Sequence, residues 1–346
     1  MSETMRLVAE KSGELCLLEV PIPTVSEPLD AVIKVSSALI ERIDIEVAMR
    51  KANDGPHGVG HAACGEVIDV GSEVNSFRIG DIVVVNAVMP CFICNDCQRG
   101  NTYYCKNTNE QSTLGGCMSE YLYINNAEVN LAHVPPGISE ENACYAPQIM
   151  SGGFNAVEAT VLPTGGYIAI FGLEATGLMA VMGAQLSCSG LIIAVGRKNH
   201  EELRFAKEFG ADISLSFEED IEKQIHEITK GQGLDAAVEC TGNNKSLVHC
   251  INCTRTGGTI SKSGIYYSGK KVLSDECLSV EQLTTIRLTP SIVGGERVER
   301  MLRLIDSGKV DPSKLTTHRI DFLEIDTLRD RLHGAEQGFG VNLVEF

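Results

Sequence analysis

The sequence has no hydrophobic run long enough to cross a membrane, no tryptophan, no low-complexity tract and no internal repeat. Apolar segments such as Tyr167–Phe171 and Leu191–Val195 are far shorter than the roughly 20 residues of a membrane helix. Positive charge is also scarce, because 29 Lys and Arg face 46 Asp and Glu and leave a net charge of −17. This charge argues against nucleic acid and membrane partners, whose phosphates would repel it, but a local basic pocket could still bind an anionic cofactor.

The N-terminus shows no charged and then apolar leader. We therefore expect a cytoplasmic protein whose 13 cysteines stay reduced unless they bind metal. The length of 346 residues exceeds what one hydrophobic core usually supports, so two domains are expected.

Short apolar or alternating runs separated by Gly, Pro and Asp turns predict a β-rich first third. These runs are Ala31–Val35, Gly65–Val70, Ile82–Val85 and Tyr121–Ile124. From about Thr164, strand and helix patterns alternate, which is typical of an α/β doubly wound parallel sheet. The predicted strands are Tyr167–Phe171, Leu191–Val195, Ala211–Leu215, Ala236–Glu239, Thr259–Ser263 and a run near Ser291–Val293. The tail from Arg297 to Gln337 predicts two amphipathic helices, followed by a strand at Asn342–Phe346.

Four cysteines follow the spacing C-x2-C-x2-C-x7-C: Cys91, Cys94, Cys97 and Cys105. A ferredoxin-type cluster would place its fourth cysteine after three residues and follow it with Pro, whereas here seven residues intervene and Lys106 follows. Four thiolates on one short segment can close a tetrahedral shell around Zn²⁺. A closed shell leaves no open coordination position, so this zinc, one per chain, is predicted to be structural; the alternative is a set of reduced, metal-free thiols.

Segment 60–67 (GHAACGEV), the cysteine-rich segment and segment 238–242 (VECTG) resemble the medium-chain, zinc-dependent alcohol dehydrogenase superfamily. The similarity runs from about residue 25 to the end and is nearest to bacterial and protist secondary-alcohol dehydrogenases. The resemblance implies a chaperonin-10-like β domain at 1–151 and 289–346 and a Rossmann domain at 152–288. It further implies a small-molecule substrate and a homo-oligomer, either a dimer or a tetramer.

The residues at the catalytic positions differ from those of the family. The resemblance places Glu41 where relatives have a cysteine zinc ligand and Gln148 where they have an acidic or cysteine ligand, while His61 is retained. A neutral Gln amide is a poor zinc ligand, so a vacant, water-filled or repurposed site is expected. The alternative is a catalytic zinc that Glu41 binds through oxygen. Ile43 stands where relatives carry a hydroxyl that relays the proton. Glu41 and His61 could act as an acid–base pair or form a silent salt bridge.

A dinucleotide fingerprint follows the strand Tyr167–Phe171, with Gly172 and Gly177 present and Glu174 at the middle glycine position. A carboxylate about 4 Å from a phosphate costs about 1 to 4 kcal/mol at effective dielectric constants of 80 to 20. Glu174 either points outward or is neutralised by a cation, for which Arg42 is the candidate, or dinucleotide binding is weak or absent. Thr241, in segment 238–242, is a further candidate cofactor residue.

The second strand of the alternating region ends at Gly196, followed by Arg197 and Lys198. An NAD enzyme carries its ribose-binding acid at this point, whereas Arg and Lys can hold a 2′-phosphate. These residues favour NADP(H) over NAD(H); the alternative is an ordinary basic helix start at the surface. Two function classes follow. The first is an NADP(H)-linked oxidoreductase without the usual catalytic zinc, which reduces a C=C, C=N or activated carbonyl group with Glu41 as the acid. The second is a non-catalytic relative that acts as a binding or subunit protein.

Overall fold

The structure is a computed structural model, and it describes residues 4–11, 14–41, 44, 57–86, 88–107, 116–187, 189–198, 201–264, 284–289, 294–327 and 340–346. The chain forms two compact units, Met1–Ser151 with Ile292–Phe346 and Gly152–Ser291. The family resemblance predicts this division at 151/152 and 288/289. Within the described residues, no helix is long and apolar enough to span a bilayer.

The described strands are β1 (Thr4–Lys11), β2 (Glu14–Pro21), β3 (Ala31–Ile40), β4 (His57–Gly58), β5 (Ala62–Val70), β6 (Ile82–Val85), β7 (Tyr121–Ile124), β8 (Leu131–His133), β9 (Tyr167–Phe171), β10 (Leu191–Gly196), β11 (Ile213–Ser216), β12 (Leu234–Glu239), β13 (Thr254–Lys262), β14 (Thr285–Leu288), β15 (Thr316–Asp321) and β16 (Val341–Glu345). The described α-helices are α1 (Asn95–Gln98), α2 (Ala127–Asn130), α3 (Glu140–Cys144), α4 (Ser151–Glu158), α5 (Ala175–Leu186), α6 (Glu201–Glu208), α7 (Ile221–Ile228), α8 (Asn244–Cys253) and α9 (Gly295–Asp306). A π-helical turn spans Ala146–Met150, and 3-10 turns span Thr102–Tyr104, Pro312–Leu315 and Phe322–Thr327.

The first unit is built mainly from antiparallel sheet. Its larger sheet has the order β15-β16-β3-β5-β6-β8, and β7 also pairs with β3. Strand β3 is buried along most of its length because neighbouring strands cover its edges and β-branched side chains such as Ile33 and Val35 pack into the core with Val67. The β-rich first third that the sequence predicted is therefore confirmed.

The second unit is a parallel sheet with the order β11-β10-β9-β12-β13-β14 among the described strands. Strands β9, β10 and β12 are almost wholly buried, as expected for apolar strands covered by helices on both faces. Strand order reverses between β9 and β12, and ligands of such sheets bind at the carboxyl ends of the strands beside this switch point. The α/β doubly wound prediction is confirmed.

Two details differ from the sequence-based elements. The run near Ser291–Val293 lies outside the described residues, and the last strand of the parallel sheet is β14. In the tail, α9 is the first predicted helix, and β15 is a strand at Thr316–Asp321 that the sequence did not predict. Residues 328–339, which include much of the second predicted helical stretch, lie outside the described residues. Strand β16 confirms the predicted C-terminal strand and pairs with β3.

Candidate functional site

The four predicted metal ligands lie together in the first unit. Their sulfur atoms are all within 4.8 Å of one another: Cys91, Cys94, Cys97 and Cys105. The Sγ atom of Cys105 is 3.5 Å from that of Cys91 and 3.9 Å from that of Cys94. Zinc–sulfur bonds of about 2.3 Å in a tetrahedron separate the sulfurs by about 3.8 Å, so the four thiols fit one zinc ion.

The backbone between the first two cysteines favours the thiolate form of Cys91. Phe92 adopts a left-handed conformation with φ of 57°, which turns the chain back on itself. Burial by itself raises the pKa of Cys91, but hydrogen bonds from the backbone at Ile93 and Cys94 and from neighbouring thiols lower it to about 6. A thiolate is the metal-binding form of cysteine, so this turn favours ligation.

A second cluster in the first unit is formed by Glu41, Asp44 and His61. The Nδ1 atom of His61 is in a very short contact with Oδ1 of Asp44, and its Nε2 atom lies 3.6 Å from Oε2 of Glu41. The turn that holds the two carboxylates is local, because the backbone N–H of Glu41 donates to Asp44 Oδ2 over 2.8 Å. One imidazole thus lies between two carboxylates.

This environment changes the protonation of His61. Burial by itself lowers the pKa of the imidazole, but the charge and hydrogen bond of Asp44 and the charge of Glu41 outweigh burial and raise it to about 9. The ring is therefore an imidazolium at neutral pH. Its Nε2 atom is buried and makes no hydrogen bond to any described residue.

A catalytic zinc would need three protein ligands here. When one zinc ion binds a nitrogen and an oxygen, these two atoms lie about 3.4 Å apart. The distance of 3.6 Å between Nε2 of His61 and Oε2 of Glu41 would therefore allow both atoms to bind one ion. Gln148 lies in the π-helical turn Ala146–Met150. Within the described residues, the cysteine cluster is the one group of three or more strong ligands. Among these residues, no third strong ligand joins His61 and Glu41.

Asp44 is the member of this cluster that sequence reasoning missed. The sequence signal was available, since Asp44 follows Glu41 by three residues, a spacing at which an Asp carboxylate can accept a backbone N–H in a turn. Its pairing with His61, 17 residues away, required the fold. Arg42 and Ile43 lie outside the described residues.

The glycine cradle of the second unit lies at the switch point of the parallel sheet. Gly172 has φ of +94°, and a Cβ atom there would lie 2.6 Å from Cγ2 of Thr241. A Cβ atom on Gly177 would lie 1.9 Å from the carbonyl oxygen of Gly172. Both positions therefore require glycine, and the backbone after β9 can approach a pyrophosphate at the start of α5.

Thr241 is held in place by the last residue of β12. Its backbone N–H and Oγ1 donate to Oε1 of the fully buried Glu239 over 2.7 Å and 2.5 Å. The loops after β9 and β12 are thus brought together at the carboxyl edge of the sheet.

Glu174 is the N-cap residue of α5 and is exposed, and its side chain does not cap the helix. Burial is the main cause of the raised pKa of Cys240, and the charges of Glu239 and then Glu174 add to it. The pKa of Arg197 is lowered by burial, but Glu202 and, to a smaller extent, Glu174 raise it. The carboxylate therefore acts on the carboxyl edge of the sheet, where a pyrophosphate would bind. Whether Arg42 neutralises it remains a prediction.

The end of β10 carries Gly196, Arg197 and Lys198, and the structure adds a carboxylate that the sequence analysis missed. Glu202 of α6 is buried, and its Oε1 accepts the backbone N–H of Arg197 over 2.6 Å. Its Oε2 lies 2.8 Å from Nη2 of Arg197. Lys198 donates its backbone N–H to Glu218 over 3.1 Å.

A parallel sheet with a glycine cradle at its switch point, joined in one chain to a β unit with a four-cysteine metal cluster, defines a two-unit Rossmann-type dehydrogenase fold. Family models agree: the alcohol dehydrogenase GroES-like domain matches residues 27–136 and the zinc-binding dehydrogenase model matches residues 175–307. The chain belongs to the zinc-dependent medium-chain alcohol dehydrogenase superfamily.

Individual relatives support this assignment. The chain is 33% identical to an NADP-dependent isopropanol dehydrogenase of Thermoanaerobacter brockii over 302 residues, 84% of this chain and 85% of the relative. It is 31% identical to an L-threonine 3-dehydrogenase of Bacillus subtilis, over 74% and 75% of the two chains. The solved alcohol dehydrogenase TADH from Thermus sp. ATN1 matches with a TM-score of 0.89 and 26% identity over 99% of both chains.

Proposed function

We propose that the protein is an NADP(H)-linked oxidoreductase that transfers a hydride to or from a small carbonyl compound, alcohol or activated double bond without a catalytic zinc. The observation that carries this proposal is the imidazole of His61 between the carboxylates of Asp44 and Glu41. The family resemblance places His61 and Glu41 at ligand positions of the reactive metal. When bound, the nicotinamide supplies the hydride. The chain must then supply the matching proton.

The sequence predicts Glu41 as the acid, but the position of Glu41 beside Nε2 of His61 favours the imidazolium as the proton donor. The pKa of His61, about 9, keeps Nε2 protonated at neutral pH, so it can donate a proton to a developing alkoxide, enolate or amide anion. Asp44 fixes the orientation of the ring through Nδ1, and Glu41 stabilises the positive charge. Reduction is expected to slow as pH rises above about 9, because the donor then loses its proton. Gln148 can contribute an amide that orients the substrate.

NADP(H) is favoured by the cations after β10. The guanidinium of Arg197 uses its Nε and Nη2 atoms on Glu202 and keeps further N–H groups for a phosphate, with 39% of the side chain exposed. Lys198 adds a second positive charge at the same edge. The relative from Thermoanaerobacter brockii is named as NADP-dependent.

The remaining assignments are part of the same proposal. Cys91, Cys94, Cys97 and Cys105 hold one structural zinc, and Gly172, Gly177, Gly196 and Thr241 form the dinucleotide cradle. We expect a cytoplasmic homo-oligomer, either a dimer or a tetramer.

The alternative is a non-catalytic relative that acts as a binding or subunit protein. The observation that favours it is the exposed carboxylate of Glu174 at the start of α5, which opposes a pyrophosphate. Binding of NADPH distinguishes the two functions directly.

The test combines metal analysis, cofactor titration and turnover. We expect one zinc per chain, NADPH binding, and NADPH oxidation with a panel of aldehydes, imines and activated alkenes. His61→Gln should abolish turnover while retaining NADPH binding, whereas His133→Gln, which changes an exposed histidine, should leave both unchanged. Two zinc ions per chain, the second lost on His61→Ala, would show that the catalytic metal is retained. Absence of NADPH binding by the wild type would favour the non-catalytic alternative.

A further inference from the structure

A buried carboxylate lies where the adenosine ribose of a dinucleotide is recognised in this fold. Glu202 is 2% exposed, yet it comes from helix α6 and not from the end of β10, where such an acid usually stands. A Cβ atom at Gly196 would lie 2.7 Å from its Oε1 atom and 2.7 Å from Cδ1 of Leu173. Gly196 therefore leaves room for the carboxylate of Glu202. An acidic group thus lies at the end of β10 even though Gly196 itself carries none.

This carboxylate is bound to the cation that would recognise a 2′-phosphate. Its Oε2 atom accepts from Nε and Nη2 of Arg197 over 3.2 Å and 2.8 Å. Burial by itself would lower the pKa of Arg197, but the hydrogen bond and charge of Glu202, with a contribution from Glu174, raise it. Arg197 is thus already paired within the protein before any phosphate binds.

The second cation also has a carboxylate near it, although the hydrogen bond comes from its backbone. The carboxylate of Glu218 accepts a hydrogen bond from the backbone N–H of Lys198, and the positive charge of Lys198 also acts on this carboxylate. Around the end of β10, three carboxylates (Glu174, Glu202 and Glu218) therefore face two cations, so this part of the site is not a strongly positive pocket.

We propose that Glu202 is the specificity-determining residue of the cofactor site and that it limits the preference for a 2′-phosphate over a 2′-hydroxyl. This inference rests on the proposed function. Glu202 occupies one edge of the Arg197 guanidinium, and its negative charge repels a 2′-phosphate. The outer edge of the guanidinium can still bind that phosphate. The protein therefore prefers NADPH only weakly.

The expected size of the effect follows from Coulomb's law. A unit charge about 6 Å from a phosphate of about two charges changes its dissociation constant about tenfold, even at the dielectric constant of water. A ribose hydroxyl carries no charge, so binding of NADH should depend little on the charge of Glu202.

The experiment compares Glu202→Gln with a matched control. The amide of Gln keeps the size of the side chain and one acceptor for the N–H of Arg197, but removes the charge. Glu201→Gln makes the same change at the preceding residue, whose side chain is 69% exposed. Each protein is titrated with NADPH and NADH by calorimetry, and its thermal unfolding is recorded to establish folding.

We expect Glu202→Gln to bind NADPH about tenfold more tightly and NADH within about twofold of the wild type. Glu201→Gln should match the wild type for both cofactors. Unchanged or weaker NADPH binding by a folded Glu202→Gln protein would overturn the inference while leaving the proposed function intact.

A measurement on the wild type covers the case in which the variant does not fold. The ratio of the NADH and NADPH dissociation constants should lie below about 10, and a ratio of about 100 or more would overturn the inference. If neither dinucleotide binds the wild type, the proposed function fails. Adenosine 2′,5′-bisphosphate and 5′-AMP then make the same comparison without the pyrophosphate bridge and nicotinamide half, and failure of both probes to bind overturns the inference.

Discussion

Replacing Asp44 by Asn should remove the main cause of the unusual protonation of His61. In the wild type, burial opposes the imidazolium, and Asp44 contributes both the larger of the two favourable charges and a hydrogen bond to Nδ1. An Asn side chain keeps the shape of Asp44 but supplies no charge. We expect the pKa of His61 to fall from about 9 towards the ordinary value of 6.5 in the variant.

The same change has a consequence for stability. A folded-state pKa of about 9 against 6.5 in the unfolded chain stabilises the fold by about 3 kcal/mol, as an order of magnitude. Because the folded-state pKa is raised, this contribution is fully present below pH 6.5 and is lost as pH rises through about 9. Asp44→Asn should therefore remove a large part of the decrease in unfolding free energy between pH 6 and pH 10.

Two assays measure these quantities. Titration of His61 by NMR gives its pKa, and urea unfolding at a series of pH values gives the free energy. Asp81→Asn is a matched control, since Asp81 is half-buried and lies 3.9 Å from the exposed His133. This change should leave the pH dependence of unfolding nearly unchanged. A wild-type His61 that titrates near 6.5, or a pKa that is the same in Asp44→Asn, would refute the reasoning.

Two further predictions concern the metal cluster and the pyrophosphate site. Cys94→Ser should lose the zinc and have a lower melting temperature, because metal binding is coupled to folding of this segment. Cys16→Ser is the control, since Cys16 lies outside the cluster and its loss should leave the metal bound. Zinc-free wild-type protein prepared under reducing conditions would contradict this prediction. Glu174→Gly should tighten NADPH binding by up to about 1 to 4 kcal/mol in calorimetric titration if the carboxylate faces the pyrophosphate. Unchanged binding in that variant would show that a cation neutralises Glu174 in the wild type.

Much of the fold followed from local patterns. Strands β6, β7 and β9 have the bounds that their apolar runs predicted, because a short buried run between turn residues has few other stable conformations. The cysteine spacing placed four ligands within reach of one ion, since a short segment can fold around a metal without long-range contacts. Gly172 and Gly177 were recognisable for the same reason, as both are required by close backbone approaches within one strand–turn–helix segment.

Local patterns do not predict interactions between side chains that are far apart in the sequence. The pairing of Asp44 with His61 depends on how a turn and the start of β5 come together in the first unit, which no spacing rule specifies. Glu202 was missed because Gly196 suggested an absence of acid, whereas helix α6 returns a carboxylate into the space that the glycine leaves. Local periodicity therefore determines which segments become strands and helices, whereas packing in three dimensions determines which charged side chains meet. The proton chemistry and the cofactor preference that we propose depend on those contacts.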